Sequence, residues 1–117
     1  MVSLVLALSL TLAAASADNP KYAPPAVAEA EARLDHAGSV LGAASLCSDI
    51  DRERLRIAVN KMNALIDKGV DDNSQYYAAH NIFEKGVNKG KAGIRNHESD
   101  CSRAAADFNA LEKELGP

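Results

Sequence analysis

Apolar residues recur at steps of three and four along most of this chain, and no stretch alternates at period two for long enough to make a sheet. Val27, Ala30, Leu34, Ala37, Leu41 and Ala44 follow one another at helical spacing, which puts them on one face of a helix over 25–46. Pro25 suits the first turn of that helix, where its missing N–H leaves no bond unmade. A second stripe of Leu55, Ala58 or Val59, Met62, and Leu65 or Ile66 predicts a helix over 49–68. Its start is read from Ser48, Asp49, Ile50 and Asp51, a variant of the capping box, and its stop from Lys68 followed by Gly69. Asp71, Asp72, Asn73 and Ser74 form a polar linker able to cap the next helix.

The last third carries the longest pattern. Tyr76, His80, Phe83, Val87, Gly90, Ile94, His97, Cys101, Ala104, Phe108, Leu111 and Leu115 recur at steps of three or four, with no proline among them. One helix of about forty residues would run about 60 Å, too long for a globule of this size. Polar residues crowd between Asn96 and Ser99, so the pattern predicts a break there, with Ser99 as cap and helices over 74–95 and 99–115. A single continuous final helix is the alternative.

Gly38 and Gly42 lie one turn apart beside the first stripe, and Gly86, Gly90 and Gly93 interrupt the third helix. Each weakens its helix by up to ~1 kcal/mol relative to alanine, a loss offset where another helix approaches closely. The alternative is that the notches leave a cavity among Leu34, Leu41, Phe83 and Val87. Together the segments predict an all-α, up-down bundle of four helices. In that topology the first and third junctions fall at the same end, where Cys47 and Cys101 would meet.

Met1 to Ala17 is an apolar run ending in small residues, with Ala15 and Ala17 at the positions a leader peptidase inspects, and it reads as a secretory signal peptide. Residues 18–24 hold two prolines beside Tyr22 and read as an extended, flexible arm. The remainder, 25–117, forms one helical domain. Export to the periplasm or the outside favours oxidation, so Cys47 and Cys101 are expected to form one structural disulfide rather than a redox pair, being far from C-x-x-C spacing. No further segment is apolar enough to span a membrane once the leader is removed.

Composition narrows the chemistry. The 117 residues carry 13 basic and 16 acidic side chains, a net charge of −3 too weak to point to nucleic acid. There is no Trp, and the aromatics are Tyr22, Tyr76, Tyr77, Phe83 and Phe108, so the core is thin and rich in alanine. His36, His80 and His97 stand in no recognisable ligand spacing. The cluster His97, Glu98 and Asp100 is the best metal candidate, but it reads better as a wet helix junction. A haem held by Met62 with His80 or His97 lacks the C-x-x-C-H attachment motif. No G-x-S-x-G elbow and no phosphate-binding glycine loop occur, and Asp71 with Asp72 read as caps. No metal, cofactor or catalytic role is therefore expected. The basic residues Arg52, Arg54 and Arg56, and Lys85, Lys89, Lys91 and Arg95, read as solvated faces. Of Tyr76 and Tyr77 only one can face the core, leaving the other exposed as a contact residue together with Tyr22.

These features imply a small exported helical protein that binds a protein partner or client without catalysis. In general plan it is similar to the small acid-activated periplasmic chaperones, which are helical, of like size and carry one disulfide; the resemblance lies in plan, and no motif carries it. A carrier of a small hydrophobic ligand or metal in the bundle core is the alternative. The alanine and glycine stripes could also bury against a second copy, giving a homodimer.

Overall fold

The structure, a computed structural model, describes residues 25–69 and 73–117. The leader expected over 1–17, the arm expected over 18–24 with Tyr22, and the acids Asp71 and Asp72 lie outside the described residues, as does the side chain of Val27. Four helices follow in order: α1 (Pro25–Ser45), α2 (Arg52–Gly69), α3 (Asn73–Arg95) and α4 (Cys101–Leu115), with no strand among the described residues. Ala30, Leu34, Ala37, Leu41 and Ala44 are all buried, as their spacing predicts, and Val40, Gly38 and Gly42 widen that face. On α2 the buried set is Leu55, Ala58, Met62 and Ile66, and on α4 it is Ala104, Phe108, Leu111 and Leu115. These residues, with Ala79 and Phe83 of α3, share one core.

The four interior glycines explain how α1 and α3 come together. A Cβ added at Gly42 would lie 2.8 Å from the Cα of Val87, and one at Gly90 would lie 2.9 Å from the amide nitrogen of Ala43. Gly38 and Gly86 meet the opposite backbone just as closely, at Val87 and Asp35. Gly38 with Gly42 and Gly86 with Gly90 thus form two Gly-x-x-x-Gly faces pressed backbone to backbone. The notches hold the opposite helix backbone, while a groove of about 290 Å³ opens beside them between Ser39, Ala43, Gly90 and Gly93. Asp35 sits beside Gly86 and Ser39 beside Gly90, so α1 and α3 run parallel, as an up-down path requires. Ser39 Oγ donates to the Gly86 carbonyl at 3.2 Å, and the Lys89 ammonium donates to the Asp35 carboxylate.

The junctions correct two sequence expectations, and the rotation of α3 corrects a third. α2 starts at Arg52, not near 49, because residues 46–50 form tight turns that bury Ile50 and leave Asp51 as the cap, accepting from the Arg54 amide at 3.0 Å. α4 starts at Cys101 with Asp100 as its cap, accepting from the Arg103 amide at 2.9 Å. Asp100, in extended backbone, takes the cap in place of Ser99, whose amide helps to close α3 by donating to the Gly93 carbonyl. The last two helices are separate. Asn96 to Ser99 end α3 in a Schellman turn: the Glu98 amide donates to Gly93 O at 2.9 Å and the His97 amide to Ile94 O at 3.2 Å.

His97 occupies the left-handed position of that turn with φ 60°. A side chain there costs about 1 kcal/mol that glycine does not. His97→Gly is therefore expected to raise stability by about 1 kcal/mol in urea unfolding, and a loss would show that the imidazole makes a contact worth more than the strain.

The third correction concerns the phase of α3. Its buried residues are Gln75, Ala79, Phe83 and Gly86: Phe83 is buried as expected, while Gln75, Ala79 and Gly86 each lie one position before the expected Tyr76, His80 and Val87. The glycine interlock with α1 sets the rotation of the helix, and counting back from Gly86 by turns places Gln75 and Ala79 inward.

Candidate functional site

Arg52 organises the end of the bundle that carries the disulfide. Its guanidinium donates to the carbonyls of Ser45 at 3.0 Å, Ala44 at 3.2 Å, Cys47 at 2.6 Å and Ile50 at 3.1 Å. These are the last carbonyls of α1 and the turn after it, groups that have no helical partner. Arg52 thus closes α1 and fastens the start of α2, a role its place in a basic run hides. Arg52→Ala is expected to cost about 2 kcal/mol, since several carbonyls lose a charged donor together. Arg52→Lys should recover only part of it, because an ammonium lacks the planar fork; full recovery in thermal unfolding would refute the fork.

Cys47 and Cys101 form the expected disulfide, with Cα atoms 5.6 Å apart. Asp49 lies beside them, and these three bring donor atoms within 4.8 Å of one another, but both sulfurs are bonded to each other. His97, Glu98 and Asp100 form no comparable cluster. Met62 is 3% exposed within the core, whereas His97 is exposed in the turn after α3.

α2 lies against its neighbours along open seams. Toward α4, the Arg54 guanidinium sits 5.3 Å from the Phe108 ring centroid, donates to Asn109 Oδ1 at 2.8 Å and forks onto the Glu112 carboxylate. Lys61 Nζ donates to the Gly116 carbonyl at 2.6 Å. Next to these ties Ile57, 41% exposed, borders a groove of about 450 Å³ floored by Ala58 and Leu115. The Arg54 hydrogen bond holds the Glu112 carboxyl below the usual carboxylate range, against the opposing effect of burial. A carboxyl lowered in the folded state contributes stability above its unfolded pKa and loses it as pH falls through the folded value. Wild type should therefore lose more stability than Glu112→Gln when taken from neutral pH to pH 3, and equal losses in urea titrations would exclude this tie as the source.

Toward α3, a second groove of about 440 Å³ opens between Val59 and Asn63 of α2 and His80, Phe83, Glu84, Val87, Asn88 and Lys91 of α3. The buried ring of Phe83 and the half-buried Val59 and Val87 give it an apolar floor. Neither the Asn63 nor the Asn88 carboxamide makes a hydrogen bond among the described residues. His80 Nε2 is buried without a hydrogen-bond partner, the Asp67 Oδ1 being 3.7 Å away and beyond bonding reach. Tyr76 packs on His80 with ring centroids 4.3 Å apart, and Tyr77 meets Tyr76 edge-on at 5.6 Å. Contrary to the expectation that one tyrosine faces the core, both are exposed, at 37% and 65%. Neither lines the groove: Tyr76 lies against His80 at its α3 end, and Tyr77 lies beyond Tyr76. Of the side chains read from the sequence as a contact surface, Tyr76 and Tyr77 touch each other on the exposed start of α3.

The groove itself escapes sequence reasoning. Its amides come from two helices, and nothing in the spacing of Asn63 and Asn88 pairs them.

No protein family, curated protein or solved structure matches this chain. No helix among the described residues is long and apolar enough to cross a membrane.

Proposed function

We propose that this chain is an exported, non-catalytic helical protein that binds other polypeptides, in the manner of a chaperone or adaptor of the cell envelope. One observation carries the reading: α2 is flanked by two open grooves with apolar floors, and the exposed Tyr76 lies against His80 at the edge of one of them. Exposed tyrosines beside an apolar trough are the composition of protein contact surfaces. The disulfide supports an oxidising compartment. The grooves hold no paired nucleophile and base, which favours binding over catalysis.

Aggregation of a client protein, followed by light scattering at pH 7 and at pH 3 with and without the purified chain, tests this. Suppression at either pH is the expected result, and no suppression at both removes the chaperone version. The alternative is a carrier of a small hydrophobic ligand or metal in the bundle core, and a groove of about 290 Å³ that includes Gly90 and Gly93 in its lining is one place to look. A thermal shift with a panel of hydrophobic ligands is the measurement that tests it.

A further inference from the structure

We infer that the groove between α2 and α3 holds an extended peptide segment by its backbone, with Asn63 and Asn88 as the gripping residues. The inference rests on the polypeptide-binding reading and names where and how that binding occurs.

A carboxamide presents one acceptor oxygen and an N–H₂ donor, the same pair a peptide group presents. The groove has one such group on each wall, Asn63 on α2 and Asn88 on α3, and neither carboxamide is engaged among the described residues. Between them the floor is Val59, Phe83 and Val87, suited to alternate side chains of an extended strand, which point to one face every second residue. Along α3 the lining runs from His80 to Lys91, a length of about 16 Å at the helical rise. That matches about five residues of extended chain.

Charge decides between occupants. The ionised groups of the lining are Glu84 and Lys91, of opposite sign and both on α3. The groove thus has no net charge with which to select an anion, a cation or nucleic acid. What remains complementary is a neutral chain of alternating donors and acceptors with apolar side groups. Specificity at the far end comes from Tyr76 and His80, whose rings meet at 49° with centroids 4.3 Å apart and form an angled aromatic edge for one further side chain.

The test uses the full chain and a fluorescein-labelled heptapeptide of alternating leucine and serine, with an N-methylated peptide of the same sequence as comparison. Fluorescence anisotropy is expected to show binding of the first. N-methylation, which removes the backbone donors, and the double substitution Asn63→Ala with Asn88→Ala should each weaken it at least tenfold. Both asparagines lie off the core, so the double variant should keep its melting temperature. Equal affinity for the N-methylated peptide, equal affinity of the double variant, or no binding of the parent peptide would each overturn the inference. Client aggregation measured on the same samples separates the two proposals. If the double variant or a non-binding wild type still suppresses aggregation, only the groove assignment falls; if wild type neither binds nor suppresses, both fall.

Discussion

Gly42→Ala is expected to destabilise the protein by about 3 kcal/mol or more, while Gly93→Ala stabilises it by about 1 kcal/mol. The chemical change is the same, one methyl group in a helix, and the neighbours reverse its sign. At Gly42 the methyl would fall inside the contact distance of the Val87 backbone, which cannot rotate away as a side chain would. α1 and α3 must then move apart, and the close approaches at Gly38, Gly86 and Gly90 loosen with them. At Gly93 nothing lies within 4 Å, so alanine brings only its better helix propensity. Urea unfolding of both variants beside wild type measures the pair. Two destabilisations of similar size would mean the interlock is not what holds α1 to α3.

That contrast also marks how far the sequence could be read. The stripe from Ala30 to Ala44 was legible because a helix half-buried on one side must repeat its apolar residues at 3.6. The cysteines were legible because bundle topology places 47 and 101 at one end. The glycines announced close contacts, but periodicity gives each helix a face without saying which faces meet. So the pairing of Gly38 and Gly42 with Gly86 and Gly90, and the rotation it imposes on α3, had to come from the structure. Tyr76 and His80 followed the apolar rhythm yet lie outside the core, since aromatic residues with a polar group satisfy the same pattern at a half-wet surface.

Arg52 shows a second limit. Its donors serve carbonyls from Ala44 to Ile50, which only come within reach after the chain has turned twice. A basic residue at the start of a helix otherwise opposes the helix dipole, so local rules count Arg52 as mildly unfavourable. Its benefit lies at the end of the preceding helix. Asn63 and Asn88 were hidden for the same reason, being brought to one groove by the packing of α2 beside α3.

Replacing both cysteines by alanine is expected to cost about 4 kcal/mol. The bond closes a loop across 54 positions, and loop-closure entropy in the unfolded chain gives that magnitude. For an alanine-rich core this is a large share of total stability, since domains of this size are held by roughly 5–15 kcal/mol. A fall in melting temperature of about 16–32 °C should follow, at about 4–8 °C per kcal/mol. The loss should also be uneven. α4 is fastened at its start by Cys101, while the Arg54 fork to Glu112 holds its other end in solvent, where ion pairs are weak. Hydrogen exchange in the double-alanine variant should therefore rise most over 101–108, with the interlocked segments of α1 and α3 the last to open. Combining it with Arg52→Ala should cost less than the two losses added, because the guanidinium grips the Cys47 carbonyl of the same turn. Full additivity would mean that the bond and the arginine secure this end of the bundle independently, and unchanged melting on reduction would mean that the core alone carries the fold.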